Sequence, residues 1–306
     1  MNTMNRRRFI GTAAATAAAI SWQNPLFAAP EPDGEGPWDL VAVRNGEAVA
    51  MYEAGIAALG GIGAFVKKGQ SVVLKPNIAW DQPPEIPANT NPDLVAAIVR
   101  DCLKAGASKV TVFDHTCHNW ERSYKSSGIA QAVTDAGGIM AAANLESHYR
   151  EVEMPKAVKL KKALVHKEIL DNDVFINAPV LKHHGGAKLT ICMKNLMGTV
   201  WDRRFFHDNG LDQCIADIAF AGRRPDLNII DAYRILRKNG PQGRSLEDGE
   251  VAKYQMLGTD MVALDAAAAK LFDAKADQLK YVRLAGEAGA GKSDLSGVKI
   301  KRITLA

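Results

Sequence analysis

The sequence predicts an α/β fold, in which helices flank a mostly parallel sheet within one large or two-lobed domain. Strand-like apolar segments at residues 71–74 and 109–113 enclose a helical segment that begins at Asn91 and Pro92 and ends at Gly106. Asn is a favourable helix cap, and Pro costs nothing at the first helical position, where its missing N–H would be unpaired. A strand–helix–strand order requires a crossover connection, so these two strands are predicted to pair in parallel.

The segments before residue 140 follow the same alternation. Residues 41–43 form a short apolar strand, and the next segment, at 48–59, is helical and ends at the pair Gly60-Gly61. The loop at 81–89 is rich in proline, so it is predicted to have no regular structure. A further helix is predicted at 127–136, again followed by two glycines.

The second half of the chain continues the pattern to its C-terminus. Its predicted strands are runs of apolar residues at 174–180, 227–230 and 298–304, the last of them at a sheet edge. Its predicted helices are 189–197, 211–220 and 264–272, the last capped by Thr259 or Asp260. Strands that alternate with helices along the whole chain are typical of α/β proteins.

The first residues predict export. Asn5-Arg6-Arg7-Arg8-Phe9-Ile10 precedes a weakly apolar run at 11–20 and the small pair Ala28-Ala29. This order is that of a twin-arginine signal peptide at 1–29, which would be recognised by the twin-arginine export machinery and give a periplasmic protein. The apolar run is too short to span a bilayer, which takes about 20 residues. We expect a flexible mature terminus at 30–39, a folded domain at 40–306 and no membrane span after removal of the signal.

Composition excludes several classes of function. The formal net charge is +4, and residues 1–29 contain three arginines and no acid, so the mature chain carries about 4 − 3 = +1. Bulk charge therefore gives no support for nucleic-acid binding. The four cysteines are widely spaced and form no C-x-x-C pair, so the sequence contains no iron–sulfur motif and no zinc ribbon.

Polar side chains are concentrated at or just beyond five predicted strand ends, where open α/β sheets place their ligands. The five places are residues 75–77, 114–118, 182–184, Asp231 and 240–243. Because parallel strands end at one edge of a sheet, we expect these groups to converge. The predicted ligand-binding residues are Lys75, Asn77, Asn195, Gly240 and Gly243. The alternative roles are structural: a solvated turn lysine, carboxylates that cap turns, and a plain glycine turn.

The segment Lys182-His183-His184 is the most informative of these places. A buried strand does not tolerate three such side chains, so the segment is predicted to leave the sheet where strand 174–180 ends. Adjacent residues of an extended chain point to opposite sides. One of His183 and His184 is therefore predicted to act as a base or ligand, while the other packs elsewhere. We select Lys182, His183, His184 and Lys194 as candidate catalytic residues.

The histidines suggest two kinds of chemistry. Neutral imidazole binds transition metals, and Asp114, His115, His118 and Asp231 are the predicted metal ligands. Acid–base catalysis by a histidine without metal is the second interpretation. The cofactor is therefore left open between a transition metal and none.

The basic residues of the middle of the chain favour an anionic ligand. Lys182, Lys188, Lys194, Arg203 and Arg204 form a basic run in a nearly neutral protein. Lys194 and Asn195 interrupt an apolar helical segment, and a buried lysine needs an anionic partner. That partner is predicted to be a small carboxylate or phosphate compound, or alternatively an aspartate of the protein itself.

A glycine-rich stretch near the C-terminus fits the letters of a phosphate-binding loop without its context. Gly286 to Ser293 matches G-x-x-x-x-G-K-[ST], but a helix is predicted before it, and only four residues separate it from the last strand. A phosphate loop requires a strand before it and a helix after it. We interpret the stretch as a helix stop and turn.

Short motifs run through most of the mature chain. They are Lys75-Pro76-Asn77, Thr90-Asn91-Pro92, Ala105-Gly106-Ala107 with Asp114, Ser127-Gly128-Ile129, Lys182-His183-His184, Lys194-Asn195-Leu196-Met197-Gly198, Asn228-Ile229-Ile230-Asp231-Ala232, Asn239-Gly240-Pro241-Gln242-Gly243 and Thr259-Asp260 with Asp265. As a set they resemble the exported members of the uncharacterised family numbered 362 among the domains of unknown function. The resemblance implies an α/β protein whose biochemical role is not established. Some relatives carry an added ferredoxin-type cluster domain, and this chain lacks its cysteines.

The leading functional hypothesis is an exported enzyme with a metal-assisted or lysine/histidine-based site that acts on an anionic small molecule. In it, Lys182 and Lys194 hold the negative charge, Lys75 assists, and Asp114 and Asp231 orient a histidine or bind metal. The first alternative is a non-catalytic periplasmic binding protein for an anion or metal. The second is an assembly factor for an exported complex.

Overall fold

The computed structural model describes residues 37–306. The predicted signal peptide at 1–29 and most of the predicted flexible terminus at 30–39 lie outside the described residues. The twelve strands of the described part are β1 Leu40–Arg44, β2 Ser71–Pro76, β3 Lys109–Val112, β4 Ile139–Met140, β5 Tyr149–Glu153, β6 Lys162–His166, β7 Val174–Ala178, β8 Val180–His184, β9 Lys188–Thr190, β10 Leu227–Leu236, β11 Gly249–Gly258 and β12 Ile300–Thr304.

The α-helices of the same part lie between the strands and range from four to thirteen residues in length. They are α1 Ala48–Ala58, α2 Pro92–Lys104, α3 Trp120–Ser126, α4 Ile129–Asp135, α5 Lys167–Asp171, α6 Cys192–Asn195, α7 Arg204–Asp208, α8 Leu211–Asp217, α9 Met261–Ala269 and α10 Lys280–Glu287. None of the helices within residues 37–306 is both long and apolar enough to cross a membrane.

Ten of the strands form one mixed sheet that is mostly parallel. Its order is β12-β1-β11-β10-β7-β2-β3-β4, and β8 pairs with both β10 and β9. Pairing is parallel from β10 through β7, β2 and β3 to β4, and β11 runs antiparallel to both of its neighbours. Strands β5 and β6 form a separate antiparallel pair. The predicted α/β fold with a mostly parallel sheet is confirmed.

The first strand–helix–strand unit forms for the reasons that its sequence indicates. The Asn91 side chain accepts a hydrogen bond from Asp93 N at 2.9 Å, and Pro92 occupies the first position of α2. The carboxylate of Asp93 in the first turn and the ammonium of Lys104 in the last turn both complement the helix dipole. The helix buries Leu94, Val95 and its other apolar residues, and β2 and β3 pair in parallel on either side of this crossover.

Apolar layers cover both faces of the sheet because its strands alternate. Val72 and Leu74 of β2 pack with α2 and α4 on one face. Val73, between them, belongs to the larger layer on the other face, which contains α8, α9 and α10. Strands buried on both faces need helices on both sides. This double cover leaves the strand ends as the accessible part of the sheet.

Two predictions about strand ends were wrong. Residues 182–184 do not leave the sheet, because they belong to β8, where Lys182 is buried and pairs in register with Leu236 of β10. Asp231 does not end a strand either, since β10 continues through it to Leu236. The predicted helix at 189–197 is only partly present, because β9 occupies its start. The strand β11 and the pair β5–β6 were not predicted.

Asp265 connects α9 to the short helix α6. Its side chain is completely buried, and its two oxygens accept hydrogen bonds from Cys192 N at 2.7 Å and Met193 N at 3.1 Å. These are the first N–H groups of α6, which have no partner inside the helix. An aspartate of one helix thus caps another, and α6 carries Lys194 and Asn195.

We expect Asp265→Ala to lower the free energy of unfolding by about 2–4 kcal/mol, because it leaves two buried N–H groups without acceptors. Asp265→Asn keeps one acceptor oxygen and should cost less. Urea denaturation measures both, with Asp135→Ala as the control, since Asp135 is exposed and its loss should cost less than about 0.5 kcal/mol. A loss below about 1 kcal/mol for Asp265→Ala would contradict the capping role.

Candidate functional site

A cavity of about 470 Å³ lies where β2 and β3 end, and residues of β8 and α6 complete its lining. Among residues 37–306, the cationic residues that line it are Lys75, Lys182, Lys194, Arg203 and Arg204, whereas Asp114 is the one carboxylate. His115, His184 and His207 add imidazole groups, and Ala79, Trp80, Met197 and Pro241 supply apolar surface. The cavity therefore has a surplus of four positive charges (five minus one) beside an apolar wall.

The base of the cavity is a buried ion pair between Lys75 and Asp114. Lys75 Nζ lies 2.8 Å from Asp114 Oδ1, and both side chains are almost completely buried. Ile78 N donates to the other oxygen, Asp114 Oδ2, at 2.7 Å. Asp114 Oδ1 accepts no hydrogen bond of regular geometry within residues 37–306, so it is held by the ammonium charge alone. Burial lowers the pKa of Lys75, and the nearby carboxylate of Asp114 opposes that effect.

Position 198 requires a glycine because the backbone there lies against the ion pair. A Cβ atom at Gly198 would lie 2.0 Å from Asp114 Oδ1 and 2.8 Å from Lys75 Nζ. The backbone therefore approaches the ion pair more closely than any side chain would permit. Gly198 O also accepts a hydrogen bond from His115 N at 3.2 Å, which joins the α6 region to the loop after β3.

A chain of buried amides runs from the cavity across the sheet. Asn77 Nδ2 donates to Asn195 Oδ1 at 2.9 Å, and Asn195 Nδ2 donates to Asn177 Oδ1 at 2.9 Å. Asn177 Nδ2 donates to Asn228 Oδ1 at 2.9 Å. All four side chains are buried, and every amide in the chain donates in the same direction. The chain fixes the orientations of Asn77 and Asn195 at the cavity.

Lys182 begins this chain of donors. Its Nζ donates to Asn77 Oδ1 at 3.0 Å and also to Ala88 O. These two acceptors explain how a fully buried lysine is tolerated within β8. No carboxylate of the described residues pairs with it, and burial, with Lys194 and Lys75 adding to the effect, lowers its pKa to about 7.

Lys194 is a cation without a partner in the described part of the chain. Within residues 37–306, its ammonium group has neither a hydrogen-bond acceptor nor an ion-pair partner, although Lys75 beside it has both. Burial, together with the nearby charges of Arg203 and Lys75, lowers the pKa of Lys194 to about 8. Lys194 is half-buried and lines the cavity.

The adjacent histidines of β8 have separate environments. His184 lines the cavity, and its Nδ1 accepts N–H groups from Gly186 and Ala187, both at 3.1 Å. His183 does not line the cavity, and its Nδ1 accepts Gly240 N at 3.1 Å. Burial, with Lys194 adding to the effect, lowers the pKa of His184 to about 3. The ring of His184 is therefore neutral.

His115 follows Asp114 and also lines the cavity. Its Nδ1 lies 2.9 Å from Val200 O, and its ring stacks on Trp201 with 5.2 Å between centroids and 2° between planes. Burial and the neighbouring Arg203 guanidinium lower the pKa of His115. Arg203 is held in place because it donates to His115 O at 2.9 Å and to Thr116 O at 2.6 Å.

The four predicted metal ligands are not brought together. Asp114 and His115 line the cavity, whereas His118 accepts Asp81 N through Nδ1 at 3.3 Å and packs on Trp80. Asp231 lines a second cavity of about 290 Å³. Its strand, β10, continues past it to Leu236. The described part of the chain contains no group of three or more His, Cys, Asp or Glu side chains able to hold a metal. A transition metal stays a prediction.

Asp231 has a structural role, which is to connect two elements of the fold. Its two oxygens accept Asn91 N at 2.7 Å and Tyr233 N at 3.1 Å, so it ties β10 to the start of α2. Burial raises its pKa to about 6. It does not reach the histidines that it was expected to orient.

The predicted glycine ligands do not line the cavity. A Cβ atom at Gly240 would lie 1.8 Å from His183 O, and Gly243 has a φ of +73°, which favours glycine. Gly240 is required by its close contact with β8 and Gly243 by its φ, and of residues 239–243 only Pro241 lines the cavity. The glycine-rich stretch after α10 also packs against protein, since a Cβ atom at Gly291 would lie 2.2 Å from Asp260 Oδ1.

Two contributors were missed by sequence reasoning. Asn177 is a single polar residue within an apolar strand, which was the available signal for a buried amide. Arg203 was noted only as part of the basic run, although it fixes the loop after β3. Cys117, which the sequence offers as a further ligand in a mixed metal set, is exposed at the cavity with its Sγ 3.1 Å from Arg203 Nη1.

Comparisons with known proteins identify a family and two similar proteins. The family model "Domain of unknown function (DUF362)" matches residues 72–270. The thylakoid-associated protein sll1697 of Synechocystis is 29% identical over 242 residues, which cover 72% of each chain. The lactate racemase apoprotein of Thermoanaerobacterium thermosaccharolyticum is 10% identical with a TM-score of 0.43, and the match covers 74% of this chain and 56% of that one. The family match spans well over half of the residues, including Lys75, Asp114, Lys182 and Lys194, and the chain belongs to the DUF362 family.

Proposed function

We propose that this chain is an exported enzyme that acts on an anionic small molecule through a site built from lysine and histidine side chains. The observation that carries the proposal is the ammonium group of Lys194. It faces a cavity with surplus positive charge and has no partner within the described residues. A cation in such surroundings is costly unless an anion pairs with it.

The charge balance of the cavity favours an anionic ligand over a neutral one. Lys75 is neutralised by Asp114, but no carboxylate of residues 37–306 forms an ion pair with Lys182 or Lys194. Arg203 donates to backbone carbonyls and keeps its full charge. A carboxylate or phosphate group would receive charge-assisted hydrogen bonds here, which are stronger than neutral ones.

The ionisation of the lysines favours catalysis over simple binding. Burial brings the pKa of Lys182 to about 7 and that of Lys194 to about 8. A group whose pKa lies near the working pH can both give and take protons, which an enzyme needs and a binding protein does not. A binding protein for an anion is the alternative. It would lose affinity in the Lys194→Ala variant, but it would have no turnover rate that could fall.

Export is part of the proposal because of the N-terminal motif. Paired arginines before Phe9-Ile10, a short apolar run and the pair Ala28-Ala29 support a twin-arginine signal. Fusion of residues 1–40 to a reporter that is active only after folded export tests this part separately from the chemistry.

We expect Lys194→Ala to weaken binding of inorganic phosphate by about 10–100-fold, since a hydrogen bond to a charged group contributes about 1.5–3 kcal/mol. Isothermal titration calorimetry at pH 7 measures the change. Lys125→Ala is the matched control, because Lys125 is exposed on α3 and should leave the affinity unchanged. Equal affinities of the wild-type and Lys194→Ala proteins would exclude Lys194 from the anion site.

Anion affinity should also fall as the pH rises. Lys182 and Lys194, with pKa values of about 7 and about 8, are charged at pH 6 and neutral at pH 9 in the free protein. An anion binds the charged forms, so the apparent affinity is lost as each group deprotonates. We expect a loss of at least about tenfold between pH 7 and pH 9. Sulfate is the probe, because its own charge is constant over this range, and a flat profile would contradict the assignment.

The metal-assisted version of the site has its own test. Elemental analysis of the purified mature chain, with His183→Ala, His184→Ala and His115→Ala variants, measures any bound transition metal and its dependence on these histidines. We expect dialysis against EDTA to change phosphate affinity by less than about twofold, because the lysines bind the anion directly in this proposal. A stoichiometric metal whose removal abolishes binding would favour the metal-assisted site.

A further inference from the structure

The contacts of His184 fix which of its nitrogens carries the proton. Backbone N–H groups are donors only, so the two that point at Nδ1, from Gly186 and Ala187, require a lone pair there. A neutral ring then carries its proton on Nε2. His184 therefore presents an N–H donor and has no free lone pair with which to accept a proton.

His115 has the opposite arrangement. A backbone carbonyl is an acceptor only, so Val200 O at 2.9 Å requires a proton on Nδ1. In the neutral ring the lone pair is then on Nε2, which has no hydrogen-bond partner among residues 37–306. The stacking on Trp201 holds the ring, and His115 lines the same cavity as His184.

The ring of His115 can take up a proton in place, because Trp201 stacks on it and Val200 O accepts from Nδ1. The imidazolium formed by protonation would still donate through Nδ1 to Val200 O, so the ring need not rotate.

We propose that His115 is the catalytic proton acceptor of this cavity and that His184 is a fixed hydrogen-bond donor to the same ligand. This assignment rests on the proposed function. The substrate class is an anionic compound with an acidic C–H or O–H next to its carboxylate or phosphate group. Lys194 binds the anionic group, the proton passes from the substrate to His115 Nε2, and the electron pair stays on the substrate. His184 donates to the oxygen that gains electron density.

The tautomers of the two rings test the assignment without a substrate. In ¹⁵N-histidine-labelled protein at pH 7, long-range ¹H–¹⁵N NMR should give an Nδ1–H ring for His115 and an Nε2–H ring for His184. His115→Gln and His184→Gln variants assign the two signals. His184 should stay neutral at pH 5. An Nε2–H tautomer at His115 would overturn the inference.

Acylation by diethyl pyrocarbonate provides a second readout, because it needs an accessible imidazole lone pair. Peptide mapping at pH 7 should show modification of His115 at least tenfold faster than that of His184, and 10 mM phosphate should protect His115. His148→Gln is the matched control, since His148 does not line the cavity and its loss should leave both rates unchanged. Slow modification of His115, or phosphate binding without protection, would overturn its role. Absence of phosphate binding by calorimetry would overturn the proposed anion site instead.

Discussion

The buried ion pair between Lys75 and Asp114 is the constraint on which the site depends. It joins the ends of β2 and β3, and the α6 region can pack against it only because Gly198 has no side chain. A buried ion pair seldom adds much net stability, since desolvation opposes the attraction between the charges. Its effect here is geometric, because it fixes where the loop carrying His115 leaves the sheet. It also removes the charge of Lys75 from the cavity.

The chain of buried amides fixes the orientation of the uncharged groups of the site, as the ion pair fixes that of the charged ones. Asn77, Asn195, Asn177 and Asn228 each have a defined orientation because each donates to the next. A half-satisfied buried network would be costly, whereas a complete one specifies a single arrangement. Asp265 adds to this order by capping α6 from the apolar layer behind it. Lys182 and Asn195 are thus held by partners from distant parts of the sequence.

The helices and strands that depend on local signals were predictable from sequence. The convergence of the site residues at one cavity was predictable only in part. Capping at Asn91 and apolar alternation at 71–74 are local signals, so α2 and β2 were predicted close to their observed bounds. The position of Lys182 inside β8 was not predictable, because its acceptors, Asn77 and Ala88, are distant in sequence. Asp231 was misplaced for a related reason. Its strand continues because β11 pairs with it, and β11 has weak apolar character.

Strand alternation accounts for the division of roles within β8. Lys182 and His184 are two residues apart, so both face the cavity, while His183 faces the loop at Gly240. The side chain of Lys182 is fixed by acceptors, and that of His184 by backbone donors, so neither can rotate without losing hydrogen bonds. Lys194 has no such restraint within the described residues. In the proposed site, a ligand anion is bound by one adaptable cation among fixed donors, and the proposed proton acceptor, His115, follows a different strand, β3.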